Sequence, residues 1–237
     1  MISSKDFFVV IPARYDSSRF PGKVLEEINN ISMLENVFNN AKKSKASAVY
    51  IATDSQRVYK ASKKFTNDVF LTSSTNRNGT ERIAELAELL NWNQNILVVN
   101  LQADQPFLMH DNIDFLAASA EDSEGLSTLY YPLSDSKLNK DKNTVKISIS
   151  EDIKFYRDVG EIITDKFFKH IGIYAYHVRD LFLYKKLPPS NNEISLSLEQ
   201  YRFIDNNIKI HAYLAKSDPG ISIDSIDNIN EIRGVSN

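Results

Sequence analysis

The stretch FFVVIPARYDSSRFPGK, residues Phe7 to Lys23, decides the fold class. Its first six residues, Phe7 to Pro12, form an unbroken apolar run. That is the pattern of a strand buried on both faces, as in a parallel sheet covered by helices. The run stops at Pro12, and Arg14, Ser17, Ser18, Arg19, Pro21, Gly22 and Lys23 follow within a dozen residues. Three cations, two hydroxyls and a glycine directly after a buried strand suit a polyphosphate. Backbone N–H groups and fixed cations together neutralise several phosphate oxygens. The other reading is a solvated loop with incidental basic residues, but no other loop of the chain combines these features.

Outward from this segment, strands and helices alternate. Ile31 to Ser44 carries Met33, Leu34, Val37, Phe38 and Ala41 at helical spacing, with Lys42, Lys43 and Lys45 at its end, where the helix dipole favours cations. Ala48 to Thr53 reads as a second strand closed by Asp54, Gln56 to Lys64 as a helix, and Asp68 to Leu71 as a short strand. Thr80 to Leu90 is the clearest helix, with Thr80 as N-cap and Ile83, Leu86, Ala87 and Leu90 on one face. Ile96 to Leu101 is another buried strand, followed by Gln102-Ala103-Asp104-Gln105-Pro106. Strands separated by helices imply βαβ units and a mostly parallel sheet, with ligands at the carboxyl ends of its strands. Beyond about residue 125 the pattern changes. Leu126 to Leu133, Thr144 to Ile149 and Ile171 to Tyr176 read as strands, Leu196 to Phe203 as a helix, and 134–143 as an exposed polar loop. No internal repeat or low-complexity linker divides the chain.

The 237 residues suffice for a full core, and the net charge of −3 argues against general nucleic-acid binding, which needs a basic face. Without cysteine there are no disulfides or thiolate metal sites. Residues 1–20 carry no signal-peptide pattern, and no stretch approaches the roughly 18–20 apolar residues that span a bilayer. The expectation is a soluble, cytoplasmic protein with neither membrane nor nucleic acid as partner.

Asp104 stands at the carboxyl end of Ile96–Leu101, where a carboxylate reaches ligand without burying its charge. It is also an ordinary turn residue before Pro106. One or two carboxylates with phosphate oxygens and water suit Mg²⁺. A second candidate is Asp224, at the end of a turn and short alternating strand, Pro219 to Asp224; Asp227 is equally good by composition, and a helix N-cap before 228–233 is the alternative. Asn78-Gly79-Thr80-Glu81-Arg82 opens a helix whose N-terminus attracts anions, unless Arg82 merely pairs with Glu81 or Glu85. His170, Tyr174 and Tyr176 share one face of a strand, and with Glu199 and Gln200 they offer partners for a carboxylated, hydroxylated small molecule; a half-buried strand with a satisfied histidine is the plainer reading. His110, His177 and His211 have no metal-ligand spacing.

Taken together, these residues resemble the family of CMP-Kdo synthetases, the 3-deoxy-manno-octulosonate cytidylyltransferases. The opening motif is met by Val9 to Arg14 and Ser18 to Lys23. Ala52-Thr53-Asp54, Gly79-Thr80-Glu81-Arg82 and Asn100-Leu101-Gln102-Ala103-Asp104-Gln105-Pro106 follow in order. Asn143, Val145, Lys146, Phe155 and Arg157 match next, then His170 to Tyr176, Leu198-Glu199-Gln200-Tyr201-Arg202 and Gly220 to Asp224.

The resemblance implies a Rossmann-like nucleotidyltransferase fold: one domain over 1–237, with helices on both faces of a mostly parallel central sheet. Residues 126–203 are expected to add acceptor-binding elements and a small subdomain for homodimerisation. The implied reaction joins CTP and a 3-deoxy-2-ulosonic acid into a CMP-sugar and pyrophosphate, for lipopolysaccharide or capsule. By the same resemblance Arg14 and Lys23 hold the triphosphate, and these two with Asp104 form the catalytic set. Pro12, Ala13, Gly79, Thr80, Arg82 and Gln102 complete the nucleotide site. Asp104 and Asp224 hold Mg²⁺. Arg157, His170, Tyr174, Glu199 and Gln200 bind the sugar acid.

This chain departs from the family pattern at several places. Ala103 replaces a glycine, which requires φ below zero there. Gln105 replaces a glutamate beside the metal ligand, Asn78 a serine and Asn76 a histidine, an extra Ser222 precedes Ile223-Asp224, and a longer segment is reduced to Tyr156–Gly160. The changes cluster near metal and sugar. Two other readings therefore stand beside the main one: a cytidylyl- or uridylyltransferase for another acidic sugar or a phosphorylated acceptor, and a non-catalytic nucleotide-binding homologue. Against the phosphorylated acceptor, the chain has only Gly22 before Gly79, where such enzymes open with a glycine-rich basic loop.

Overall fold

The computed structural model describes residues 6–16, 20–28, 30–133, 141–150, 152–160 and 166–233. Ser17, Ser18 and Arg19 of the basic loop, and 134–140 of the polar loop, lie outside the described residues. The opening apolar run is the strand β1 (Phe7–Ala13), buried at every position. Its side chains alternate between two cores: Phe7, Val9, Ile11 and Ala13 face one, and Phe8 and Val10 face the other. A run with no polar face can only sit inside a sheet covered on both sides.

The second strand, β4 (Ala48–Thr53), occupies the residues expected and pairs parallel to β1; β5 (Val69–Leu71) and β6 (Leu97–Leu101) extend the parallel run. Two very short strands, β2 (Glu27–Ile28) and β3 (Ile31–Ser32), form a separate hairpin. The antiparallel β10 (Phe167–His177) joins β6 to β7 (Leu126–Pro132), and β11 (Ile210–Leu214) runs parallel to β7 at the edge. The path is β11-β7-β10-β6-β1-β4-β5, with β8 (Lys146–Ile149) pairing the end of β10, and β9 (Ile153–Tyr156) pairing β8. Four of the six neighbour pairs along that path are parallel.

Helices α1 (Met33–Ala41), α2 (Gln56–Ser62) and α4 (His110–Ala120) supply side chains to one core. Helices α3 (Gly79–Leu89) and α5 (Val178–Lys186) supply them to the other. Of these, α4 and α5 carry no signal in the sequence reading above.

Three expectations are corrected. Asn78, not Thr80, caps α3: its side-chain oxygen accepts the Glu81 N–H at 2.9 Å. The single helix expected over Leu196–Phe203 is two, α6 (Asn191–Leu196) and α7 (Tyr201–Ile204), broken at Ser197, which adopts φ 53°. Residues 221–224 form no strand; Ile223 instead packs with Ile28, Met33 and Ile229 in a satellite core before α8 (Ile226–Arg233).

Candidate active site

A cavity of about 970 Å³ opens across the carboxyl ends of β1 and β6 and the face of β10. At one end, three residues far apart in sequence meet. Lys23 follows Gly22, whose left-handed φ of 78° turns the chain so that its N–H donates to the Tyr15 carbonyl at 2.7 Å. The Lys23 Nζ donates to Asp104 Oδ2 at 2.8 Å, to the Ile223 carbonyl at 3.1 Å and to Asp224 Oδ1 at 3.4 Å. The Ile223 N–H in turn donates to the Asp104 carbonyl at 2.9 Å, which draws the late segment onto the end of β6. Burial disfavours the Lys23 ammonium, but attraction and hydrogen bonds from Asp104 and Asp224 outweigh it and raise its pKa.

Both contacting oxygens of Asp104 and Asp224 touch one ammonium, so they lie no farther apart than the sum of those two distances. That is inside the roughly 8 Å allowed for two carboxylates converging on one Mg²⁺. Both face the cavity, and an all-oxygen pair already balanced against a cation is a donor set that a hard divalent ion accepts. Among the described residues no group of three or more histidines and acids forms a protein-only cage, so such an ion must complete its shell with ligand oxygens and water. Asp227 lies in the first turn of α8, and Ser225 Oγ accepts the Asn228 N–H there at 3.4 Å.

The middle of the cavity is narrow and polar. A Cβ at Gly79 would stand 3.0 Å from Pro12 Cγ and 3.3 Å from Gln102 Nε2, so any larger residue there would push these side chains back by a few tenths of an ångström. Arg14 and Gln102 line the cavity beside it, and Arg14 Nη2 donates to the Asn76 carbonyl at 2.6 Å. Arg77, another cation on the same wall, was missed by sequence reasoning although it directly precedes a helix start. The Ala13 side chain packs into the core, which leaves only its backbone for a ligand. The Thr80 N–H already donates to Glu199 Oε2 at 3.2 Å. Ala103 lies outside the left-handed region, so its replacement of glycine introduces no backbone strain.

Arg82 does not join the others. Its fully buried guanidinium pairs with Asp54 at 2.7 Å and donates to Thr72 Oγ1 at 2.6 Å, which ties α3 to the ends of β4 and β5. Burial lowers its pKa, with Asp54 opposing. Arg82 does not line the cavity, and its ion pair is with Asp54 rather than Glu81 or Glu85; the Glu85 carboxylate accepts the Ser73 N–H.

At the other end, residues of β10, of α6 and of the 197–200 turn that follows it line the cavity. His170 is buried against Phe155 and Tyr174, with Nε2 at 3.0 Å from Thr128 Oγ1. Burial drives its pKa down to about 3, so it meets a ligand as neutral imidazole. The strand slips register between Ile171 and Tyr174, yet both His170 and Tyr174 still line the cavity. The Tyr174 hydroxyl donates to Gln200 Oε1 at 3.4 Å, and Gln200 Nε2 is buried with no hydrogen-bond partner. An orphaned amide N–H in a cavity wall has desolvation to recover and favours an acceptor from a ligand. Burial raises the Glu199 pKa, opposed by the Thr80 N–H. Arg157 donates to the Leu196 carbonyl at 2.7 Å and the Ser197 carbonyl at 2.9 Å, on the rim.

Lys169 and Glu193 also line this end and were not anticipated. Lys169 Nζ donates to the Gly220 carbonyl at 2.7 Å; its only sequence signal was a cation beside His170 in an otherwise apolar strand. Glu193 carried none, since its role depends on residues distant in sequence.

A cytidylyltransferase family profile matches residues 8–210. A 3-deoxy-manno-octulosonate cytidylyltransferase of Polynucleobacter asymbioticus is 35% identical over 96% of this chain and 94% of its own. One from Haemophilus influenzae is 33% identical over 97% and 98%. The solved structure of a CMP:2-keto-3-deoxy-manno-octonic acid synthetase in complex with CTP superposes with a TM-score of 0.85 at 29% identity, covering 97% of this chain and 98% of that one. A cytidylyltransferase from Leptospira borgpetersenii, 15% identical with a TM-score of 0.64 over 97% and 85%, shares the fold.

Proposed function

Because the chain belongs to the cytidylyltransferase family, among the 3-deoxy-manno-octulosonate cytidylyltransferases, we propose that it activates Kdo or a close ulosonic relative with CTP, releasing pyrophosphate. The observation that carries this reading is the two-ended cavity. A cation between two carboxylates stands at one end, and neutral donors with an orphaned amide stand at the other, joined through the close contact of Gly79 with Pro12 and Gln102.

Cytosine sits against Gly79 and Gln102, and the triphosphate runs past Arg14 toward Lys23. The sugar acid lies between Arg157, His170, Tyr174 and Gln200, where neutral hydroxyl, imidazole and amide groups serve its oxygens and Arg157 faces its carboxylate. Its anomeric oxygen attacks the α-phosphorus in line, losing its proton to water as the bond forms. The bond from the α-phosphorus to the bridging oxygen breaks, and pyrophosphate leaves with that oxygen. The protein contributes placement of the two reactants and neutralisation of the charge that grows on the phosphates.

Asp104 and Asp224 would hold Mg²⁺, which supplies further neutralisation and acidifies a bound hydroxyl. Lys23, within reach of both carboxylates, would add its charge to the neutralisation of the phosphates. The protein works in the cytoplasm as a homodimer, for lipopolysaccharide or capsule synthesis, with 126–203 providing the acceptor and dimer elements of a single domain.

The deciding assay is pyrophosphate release with CTP, Mg²⁺ and Kdo. UTP should be a much poorer donor, because a site that pairs one edge of cytosine leaves buried groups unpaired with uracil. Equal turnover of CTP and UTP, or activity with a sugar 1-phosphate and none with ulosonic acids, overturns the reading. A modified ulosonic acid is the second substrate to test. Gln105, neutral where the family resemblance has glutamate, lies in the cavity wall with its amide nitrogen 2.8 Å from where a Cβ on Gly172 would be.

A further inference from the structure

The 193–202 segment and the first turn of α3 are joined by buried charges that the chemistry above does not use. Arg202, 1% exposed, meets Glu193 with two bonds, Nε at 2.7 Å and Nη2 at 2.6 Å. The same Nη2 lies 2.9 Å from Glu81 Oε1, and the guanidinium stacks on Tyr184 at 4.1 Å. The other Glu81 oxygen accepts the Arg77 N–H at 2.7 Å. Asn78, which caps α3, donates to Glu193 Oε1 at 3.2 Å, and the Thr80 N–H donates to Glu199.

Three contacts thus tie 78–81 to 193–202: Asn78 to Glu193, Thr80 to Glu199 and Glu81 to Arg202. One side of this junction presents Gly79 to the nucleotide. The other presents Gln200 to the acceptor, along with the carbonyls of Leu196 and Ser197 that anchor Arg157. A planar guanidinium with two carboxylates fixes both elements in angle as well as distance, which an apolar contact cannot do.

We propose that Arg202 is a positioning residue that couples the two half-sites: filling the acceptor end fixes α6 and α7, and through Arg202 and Glu81 fixes the α3 turn against the nucleotide, and the reverse. Coupling of this kind is reciprocal and commonly amounts to about 5-fold or more in affinity. The inference rests on the acceptor assignment above for one of its two tests.

Glu81 is the place to cut. It does not line the cavity, its side chain is 13% exposed, and Arg202 keeps Glu193 when Glu81 is gone. CTP is titrated calorimetrically with and without a saturating ulosonic acid that lacks the anomeric hydroxyl, so no turnover occurs. In the wild type the analogue should tighten CTP by about 5-fold or more. Glu81→Ala should bring that ratio close to one while CTP alone binds within about twofold of wild type, and Glu81→Gln, which keeps one acceptor oxygen, should restore part of it. A variant that merely loosened the fold would weaken both ligands and leave the ratio unchanged, which overturns the proposal, as does a wild-type ratio of one.

The second test needs no acceptor. CTP alone should slow amide hydrogen exchange across 193–204 in the wild type and not in Glu81→Ala. Equal protection in both proteins overturns the coupling. Failure of Kdo turnover with this protection intact overturns only the acceptor assignment.

Discussion

In the middle of the cavity, Pro12, Gly79 and Gln102 meet at the tips of parallel strands and a helix start, and what matters is how little room a side chain at 79 would have. At the end lined by β10, His170 and Tyr174 come from an antiparallel strand, Glu193 from α6 and Gln200 from the turn before α7, and what matters is which buried side chain satisfies which. The first design depends on local chain geometry and tolerates neighbours of many kinds. The second is a set of mutual obligations in which removing one partner strands another. Activity should therefore fail sharply at the charged end. Structural damage should follow buried polar pairs wherever they lie.

The sharpest break is expected at the carboxylates. Asp104→Asn or Asp224→Asn is nearly isosteric and removes only charge, so each should cut kcat below about one-thousandth of wild type with the circular dichroism spectrum retained. Asp227→Asn, in the first turn of α8, should stay within about twofold. Comparable losses at 227 and 224 would move the metal ligand. Lys23→Ala comes next. Losing a charge-assisted phosphate contact costs about 2–4 kcal/mol, or roughly 30- to 1,000-fold in kcat/KM for CTP. Wild-type turnover would remove Lys23 from the site.

A third change separates structure from chemistry. Asp54→Asn strands the fully buried Arg82 guanidinium and should cost about 3 kcal/mol, lowering Tm by roughly 6–12 °C, with kcat nearly unchanged. A large fall in kcat at normal Tm would return Arg82 to the nucleotide site. The smallest effect concerns His170, whose pKa falls from the ordinary 6.5 to about 3 on burial. Between those values the unfolded chain binds the proton and the folded one does not, so stability falls as pH drops from 6.5 toward 3. Wild-type Tm should decline more steeply than that of His170→Gln over pH 6.5 to 4; parallel curves would show that His170 is charged in the fold.

Legibility from sequence follows the same division. β1 and β4 were readable because an apolar run with no polar face has one solution, and residues just beyond a parallel strand fall at its ligand edge. Arg14 and Asp104 fall at such edges and line the cavity, and Gly79 lines it from the helix start that the sequence marked. Arg82 could not be placed from sequence because a cation in a helix's first turn looks alike whether it faces ligand or a carboxylate such as Asp54. The alternation in Ile221-Ser222-Ile223 imitated a strand, whereas Ile223 fills a satellite core. Ser197 broke the expected helix with no glycine to mark the place. Glu193 carried no signal and Lys169 only a faint one, because their partners, Arg202, Asn78 and the Gly220 carbonyl, are supplied by the folded chain.

The contact of Lys23 with the Ile223 carbonyl closes a loop of 200 residues, and this sets a schedule for synthesis. At roughly 5–20 residues per second, Asp104 leaves the ribosome on the order of ten seconds before Asp224. A nascent chain halted near residue 220 can pair β1, β4 and β6, yet it holds Lys23 and Asp104 without the third charge of the cluster. Such a chain carries the sheet with an unfinished charge cluster, because neither the Ile223 carbonyl nor Asp224 is there to meet Lys23. A product stalled or clipped at that point leaves the longest-range contact of the cluster unmade.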